Sequence, residues 1–333
     1  MNDFHSLTVQ EVCERLCENK RTLIIFHARP DADAVGSAFA LRELLRLMNI
    51  PAICASSDEV PERLLFLMDD LQGSVLLDED MGLDHERVIS VDSASPQQLG
   101  PLFERLRRDV DLMIDHHGNG TVYADHYIDP TAAATGEILY EIALCLLEMG
   151  KIPYLSPRLI NGCYAAICSD TGCFRYANTT PRTLRTVAEL LEQGADQVTI
   201  NRILFESKTE KQVRAEGEAA SRLKLYDGGT VASVTFPYTS KFKLSLSDEH
   251  LETIIDVPRS IGGILVAFSV RQPEDRGFFR VSMRSTSDVD VAAICARFGG
   301  GGHVRAAGCS LEAGDIYEAE SRLLSAIRDA MKA

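Results

Sequence analysis

The sequence predicts an α/β protein in two parts: an N-terminal domain built on a parallel sheet with flanking helices, and a smaller C-terminal α/β domain with a mixed sheet. Three observations carry this. Apolar runs, polar turns and amphipathic stretches alternate through the first part of the chain, the pattern of strand-helix crossover units. Three of the apolar runs end in Asp or His, where a parallel sheet presents its ligand-binding edge. After residue 225 the texture changes to strands separated by turns and a run of glycines. With 333 residues the chain can support two cores. The expected boundaries are 1–200 for the first domain, 201–225 for a helical connector and 226–333 for the second domain.

Thr8 to Asn19 reads as the first helix, with Thr8 as cap, Glu11 three residues on, and Val9, Val12, Cys13 and Leu16 on one face. Thr22 to Phe26 is a continuous apolar run, suited to a strand covered on both sides. A polar turn from His27 to Ser37 follows, then an amphipathic helix from Ala38 to Met48. Ala52–Cys54, Val88–Val91 and Leu112–Ile114 are expected as the next strands, the last two ending at Asp92 and Asp115. Ala132–Met149 and Pro157–Ser169 look like buried helices, and Pro181–Gln193 is another, closed by Gly194. Asp196 to Leu225 is helix-forming and charged, as expected of a connector acting as a hinge. In the second domain Val231–Phe236, Gly263–Val270 and Phe278–Arg284 read as strands. Asp248–Asp256 and Val289–Phe298 read as helical, Gly299 to His303 as a loop, and Gly314 onward as the final helix.

The formal charge is −15, which argues against a protein that coats long nucleic acid, because that requires an extended basic surface. Residues 226–333 hold 12 Lys/Arg and 14 Asp/Glu, a net of −2, so the first 225 residues carry −13. A carboxylate-rich metal site and a solvated acidic surface would both contribute to that surplus. The nine cysteines include no CxxC pair and no secreted disulfide framework, and most lie where a thiol serves as a small hydrophobe. Cys173 stands close to a candidate site residue, with no chemistry assigned to it. No run of about 18 apolar residues exists for a membrane span. Met1 to His5 lacks the basic and apolar regions of a signal peptide. The expectation is a cytoplasmic protein with no membrane partner.

The stretch that organises the chain is Asp115-His116-His117, at the end of the apolar run Val110 to Ile114. A carboxylate and two imidazoles beside a buried sheet each need water, a hydrogen bond or a metal. His27, Asp31 and Asp33 follow the first strand, Asp92 follows the third, and Asp170 ends a helix. Any one of these has an ordinary explanation, because Asp is favoured in turns and at helix caps. Their joint placement after apolar elements that should converge points to a metal centre. Carboxylate and imidazole without thiolate suits Mn²⁺, with Mg²⁺ or Co²⁺ as alternatives, better than structural zinc. Four carboxylates and two imidazoles suffice for two ions sharing an Asp, the arrangement that promotes phosphoryl displacement.

These residues resemble the DHH phosphoesterase family. The His27-x-x-Pro30-Asp31-x-Asp33-Ala34-x-Gly36-Ser37 turn, Asp92, Asp115-His116-His117 and Ser169-Asp170-Thr171-Gly172 are similar to its four motifs. Gly299 to His303, with Arg305-Ala306-Ala307-Gly308, resembles the GGGH motif of the associated DHHA1 domain. Five motifs in order span most of the chain, and the layout is most similar to the nanoRNase and pAp phosphatase branch, also labelled exopolyphosphatase-like. The resemblance implies that His27 and Asp31 hold one Mn²⁺ and that Asp33 and His116 hold the second. Asp92 would bridge and Asp170 would complete the shell. It further implies that Asp115 orients an imidazole and that His117 faces the substrate phosphate or leaving group. The division between His116 and His117 stays open.

In the second domain the resemblance implies a grip on the nucleotide through Gly301, Gly302, His303, Arg305 and Arg284, with Ser282 as a further contributor. Arg280 reads as an exposed strand charge. Arg175, five residues after Asp170, fits either a phosphate contact or a surface ion pair. Thr135 and Gly136 open a helix whose N-terminus fits either phosphate or an ordinary cap. The implied activity is hydrolysis of short oligoribonucleotides to mononucleotides, and of pAp to AMP, with no long duplex nucleic acid as partner. A cyclic or linear dinucleotide phosphodiesterase is the alternative within enzymes. A non-catalytic nucleotide-binding regulator is the alternative outside them, and the full set of ligand types argues against it. Family analogy points to a homodimer.

Overall fold

The computed structural model describes residues 4–68, 74–76, 84–106 and 109–332. The chain divides into two compact units, Met1–Ser207 and Lys208–Ala333. Among the described residues no helix is long and apolar enough to cross a membrane.

The first unit holds six strands: β1 (Thr22–Ile25), β2 (Ala52–Ser56), β3 (Ser74–Leu76), β4 (Arg87–Val91), β5 (Leu112–Asp115) and β6 (Asp125–Ile128). They form one sheet in the order 3-2-1-4-5-6, and every neighbouring pair is parallel. The continuous apolar run in β1 is used on both faces. Ile24 and Phe26 pack into the larger core with Ile89, Val91 and Ile114, while Leu23 and Ile25 pack beneath the sheet with Val88 and Met113. Successive side chains of a strand point to opposite faces, so a strand buried on both sides must be apolar throughout. β3 and β6 were not expected. β6 is an edge strand of four residues, and Asp125 and His126 give it no apolar run.

The sheet reverses its winding at β1. From β1 the chain moves outward through β2 and β3, then returns to the other side of β1 as β4 and continues to β5 and β6. The carboxyl ends of β1 and β4 therefore flank a switch point, where the adjoining loops separate and leave a crevice.

Three helices, Ala32–Leu47, Thr135–Glu148 and Pro157–Asp170, cover the face of the larger core. The first begins six residues before the expected Ala38. Asp31 is its cap and accepts from the backbone N–H of Asp33 at 3.1 Å and of Ala34 at 3.0 Å. Asp33 therefore lies inside a helix, not in a turn. The second starts at Thr135, because Ala132–Ala134 belong to the loop before it. The first helix of the chain is shorter than expected, Val9–Leu16, and carries the expected reciprocal cap between Thr8 and Glu11.

Glycine sets how closely the three helices approach. A Cβ on Gly36 would stand 2.6 Å from the Gly162 carbonyl oxygen, and one on Gly162 would stand 2.8 Å from the Gly36 oxygen. A Cβ on Gly136 would meet the Ala166 Cβ at 2.3 Å. Glycine is a poor helix former, so these positions record packing in preference to propensity.

The second unit contains β7 (Lys224–Tyr226), β8 (Val231–Phe236), β9 (Val266–Arg271), β10 (Phe278–Ser285), β11 (Gly301–His303) and β12 (Ala306–Glu312). Their order is 11-12-10-9-8-7, with β8 and β9 parallel and the other pairs antiparallel. The stretch expected as a connector is shared between the units. Gln197–Asn201 and a π-helical turn at Arg202–Glu206 close the first. The Glu210–Ser221 helix packs Ala215 and Ala219 against Val234 and Phe236 of the second. The Asp248–Asp256 stretch is broken into short 3-10 turns at Glu249–Leu251 and Thr253–Ile255, followed by the short helix Asp256–Arg259. The glycine run is not a free loop. Gly301–His303 is a strand paired with β12, and the composition of β12, rich in Ala and Gly, hid that strand from the sequence reading.

Candidate metal centre

The strand ends and helix starts bring seven predicted side chains together. His27 lies two residues beyond β1, Asp92 directly follows β4, and His116 and His117 directly follow β5. Asp31 and Asp33 stand at the start of one helix, and Asp170 is the last residue of another. Asp92 takes a left-handed backbone, φ 51°, and its N–H donates to the Ile114 carbonyl at 3.0 Å. Positive φ is uncommon outside glycine and marks positions held by their surroundings.

Each imidazole has one nitrogen assigned by the backbone or a carboxylate. His27 Nδ1 sits 2.8 Å from the Ala28 carbonyl, which leaves Nε2 at 3.6 Å from Asp92 Oδ2 and 3.7 Å from Asp31 Oδ1. His116 Nδ1 lies 3.4 Å from the Ala132 carbonyl. Its Nε2 stands 3.3 Å from Asp170 Oδ2 and 3.7 Å from both Asp33 Oδ2 and Asp92 Oδ1. His117 differs, because its Nδ1 is held by Asp115 Oδ1 at 2.7 Å. Asp115 Oδ1 also accepts the backbone N–H of His116 at 2.7 Å and of His117 at 3.1 Å. Asp115 is thus the anchor of the triplet, fully buried, and the imidazole it orients is that of His117.

Three groups have ligand atoms mutually close enough for one ion: His27, Asp31 and Asp92; Asp33, His116 and Asp170; and Asp92, His116 and His117. The third uses the His117 nitrogen that Asp115 already engages, which weakens it. The other two are adjacent through Asp92, whose Oδ2 faces His27 and whose Oδ1 faces His116.

The donors fit divalent cations. His116 Nε2 and Asp115 Oδ2 are buried without a hydrogen bond of acceptable geometry. Three carboxylate oxygens surround that His116 nitrogen at 3.3–3.7 Å, too long for good hydrogen bonds. Atoms so placed are satisfied by a shared positive charge, either a proton on the ring or a cation among the carboxylates.

The electrostatics of the protein without metal express the same need. Burial disfavours a charged His27, but the hydrogen bonds and charges of Asp31 and Asp92 outweigh it and raise its pKa to about 11. Burial likewise opposes charge on His116, and Asp170, Asp33 and Asp92 raise it to about 10. Burial pushes Asp33 and Asp170 up, and neighbouring carboxylates add to this. Burial also works to raise Asp92, yet His27, His116 and His117 hold it below the ordinary carboxylate range.

Several groups that position these side chains were missed or left open by the sequence reading. Ser37 Oγ donates to Asp33 Oδ1 at 2.8 Å, and its place four residues after Asp33 on one helix is the signal that could have found it. Asn178 Nδ2 donates to the carbonyls of Asp170 and Ala133, each at 3.1 Å. The Thr135 and Gly136 amides donate to Asp33 Oδ2 and Oδ1 at 2.8 and 3.0 Å, so this helix N-terminus faces a carboxylate of the protein.

The remaining candidates are not among the three ligand groups. Arg175 turns back on its own loop, with Nε donating to the Gly172 carbonyl at 2.5 Å and its guanidinium 5.9 Å from the Phe205 ring centre. Arg284, Gly301, Gly302, His303 and Arg305 all belong to the second unit. Arg284 pairs with Ala306 across β10 and β12, and Ala306 pairs with His303 across β12 and β11, which puts them in one register row. Arg305 is exposed in the turn between β11 and β12, and its carbonyl accepts the Ser285 N–H at 3.0 Å.

Comparison with known proteins agrees with this division. Residues 21–167 match the model of the DHH family, N-terminal domain, and residues 229–333 match that of the DHHA1 domain. A probable bifunctional oligoribonuclease and PAP phosphatase of Streptococcus mutans is 30% identical over 91% of this chain and 95% of its own length. The bifunctional oligoribonuclease and PAP phosphatase of Thermus thermophilus is 29% identical over 92% of this chain and 89% of its own. Among solved structures, an exopolyphosphatase-related protein from Bacteroides fragilis superposes with a TM-score of 0.88 at 20% identity, covering 99% of this chain and 98% of that one. At that identity the likeness speaks for the fold.

Proposed function

This chain belongs to the DHH family, and on that footing we propose that it is a two-metal phosphoesterase that releases mononucleotides from short oligoribonucleotides and removes the 3′-phosphate of pAp. The observation that carries the proposal is the pair of ligand groups adjacent through Asp92. His27 and Asp31 would hold one cation, Asp33, His116 and Asp170 the other, and Asp92 both. Mn²⁺ suits these donors, with Mg²⁺ or Co²⁺ as substitutes. When bound, the ions supply Lewis acidity toward the phosphoryl oxygens and the attacking water, and their charge offsets that of the four carboxylates.

The chain's own residues do the rest. Asp115 keeps the His117 ring in place through Nδ1 and, against burial, favours its protonated form, whose Nε2–H can pass to the departing oxygen and leave the neutral ring behind. The Asp115 carboxylate is itself fixed, because its Oδ1 accepts from two backbone amides as well as facing the ring. In the second unit, Arg284, Arg305, His303 and the backbone at Gly301 and Gly302 would hold substrate phosphate, a task suited to guanidinium and to unobstructed N–H groups. Nucleotide substrates of this kind are met in the cytoplasm.

The test incubates the metal-stripped chain with Mn²⁺ and, separately, a short RNA, pAp, a cyclic dinucleotide and long single-stranded DNA, with Asp170→Ala as control. Mononucleotide release from short RNA and AMP from pAp, both absent in the variant, are the expected results. Turnover of only the cyclic dinucleotide or only long DNA would reassign the substrate. Binding without turnover of any would replace the enzyme with a regulator.

A further inference from the structure

We infer that Thr135 is a positioning residue that fixes how Asp33 and Asp92 face the two cations, an inference that rests on the metal-centre reading above. Thr135 touches both carboxylates. Its backbone N–H donates to Asp33 Oδ2 at 2.8 Å, and its hydroxyl donates to Asp92 Oδ1 at 3.0 Å. Asp33 comes from a helix and Asp92 from the end of β4, so one residue ties together ligands that the chain delivers from different elements. Thr135, Asp33 and Asp92 are all buried, which keeps water from competing for these bonds.

The lone-pair inventory shows what the contact decides. An ionised carboxylate has about four acceptor directions. Asp33 Oδ1 receives the Ser37 hydroxyl at 2.8 Å and the Gly136 N–H at 3.0 Å, and Oδ2 receives the Thr135 N–H. One direction remains, on Oδ2, the oxygen 3.7 Å from His116 Nε2. Asp33 is thereby left to bind through a single oxygen on the His116 side. Asp92 Oδ1 receives the Thr135 hydroxyl and keeps its other direction toward His116, while Oδ2 faces His27. Without the hydroxyl, Asp92 could rotate about its terminal bond and present both oxygens to one side.

An independent feature agrees. Ala134, the N-cap of the Thr135–Glu148 helix, provides no side-chain cap. Asp33 supplies it from another helix, so the first two amides of this helix are engaged in holding the Asp33 carboxylate.

The experiment titrates the metal-stripped full-length protein with Mn²⁺ by calorimetry and records electron paramagnetic resonance spectra of the loaded samples, for wild type, Thr135→Val and Thr135→Ser. Valine keeps the N–H and the branched shape and removes only the hydroxyl. The expected result is two ions with a spin-coupled spectrum in wild type. In Thr135→Val at least one ion binds on the order of 10–100-fold more weakly, the usual effect of losing a ligand's supporting contact, and coupling is lost. Thr135→Ser restores both. Unchanged affinity and coupling in Thr135→Val, or equal damage in Thr135→Ser, overturns the inference. Wild type that takes up no Mn²⁺ defeats the metal-centre reading itself, a separate outcome. Should Thr135→Val fail to fold, Thr135→Ala against Thr135→Ser makes the same comparison, since only serine returns the hydroxyl.

Discussion

Replacing Gly36 by alanine should push apart two of the helices that carry the proposed metal ligands. The new Cβ would lie 2.6 Å from the Gly162 carbonyl oxygen, where ordinary contact begins at 3.4 Å, so the backbones must separate locally by roughly the 0.8 Å difference. Overpacking of this kind costs about 1–3 kcal/mol, and the gain in helix propensity from Gly to Ala returns about 1 kcal/mol. The net, about 0–2 kcal/mol, lowers the unfolding midpoint of a unit this size by about 2–4 °C for each kcal/mol. The functional consequence is larger, because Gly36 is one turn from Asp33 and Gly162 lies on the helix that ends at Asp170. A displacement approaching 1 Å at reacting groups can cost on the order of 10²-fold in rate. Thermal unfolding without metal, Mn²⁺ calorimetry and turnover would be measured together. Gly162→Ala should behave alike, since its Cβ would meet the Gly36 oxygen at 2.8 Å. The double variant should be less than additive, because either change opens the same contact. A Gly36→Ala protein with wild-type midpoint and Mn²⁺ affinity would refute the reasoning.

Mn²⁺ at about 100 times its dissociation constant should stabilise the first unit by about 2.7 kcal/mol, a rise of roughly 5–11 °C in a thermal scan at this size; a midpoint indifferent to chelator contradicts the centre. Without metal, stability should fall as pH rises from 6 to 9. The folded His27 and His116 values of about 11 and about 10 exceed the ordinary 6.5, so their contribution is full below 6.5 and drains toward pH 10–11. The raised Asp33 and Asp170 values act in the same direction from the ordinary carboxylate range upward. Mn²⁺ affinity should correspondingly rise with pH, because binding displaces those protons, and calorimetry in buffers of different ionisation enthalpy would register the release. Arg284→Ala should raise KM for short RNA more than it lowers kcat, and an equal loss in both would place Arg284 in a transition-state contact instead.

Much of the candidate centre was legible because its proposed ligands follow apolar runs whose burial on both faces demands a parallel sheet. Asp92 and the Asp115 triplet were read that way, since β4 and β5 are buried along their whole length and each carries a run of apolar residues. The start of the first ligand-bearing helix was not, because Asp31 and Asp33 carry turn propensity, and Gly36 lowers helix propensity just where packing against Gly162 requires it. Two further strands were also illegible. The edge strand β6 is only half-buried along its length, and β12 is rich in small residues, so neither shows an apolar run. The assignment of His116 and His117 depended on which ring nitrogen each neighbour occupies. Ala132 and Asp115 each engage one nitrogen of a ring through contacts that no spacing rule contains.

The glycine run separates what the fold requires from what a ligand would require. A Cβ on Gly300 would stand 2.2 Å from the Gly308 carbonyl oxygen and 2.4 Å from the Cys309 Cβ. Gly302 has φ +138° and would meet the Ala306 carbonyl oxygen at 2.6 Å. Both must be glycine for β11 to pair with β12. Gly301 meets nothing within 4 Å, so packing alone tolerates alanine there. Gly301→Ala should therefore keep the wild-type midpoint, or gain about 0.4–1 kcal/mol from a less flexible unfolded chain. If substrate phosphate lies against this strand, the added methyl group intrudes on it, and KM for both short RNA and pAp should rise while Mn²⁺ binding stays unchanged. Wild-type KM in a stably folded Gly301→Ala protein would remove the glycine run from the substrate site and leave that task to Arg284 and Arg305. Gly300→Ala is the counterpart, and its damage should appear first in the stability of the second unit.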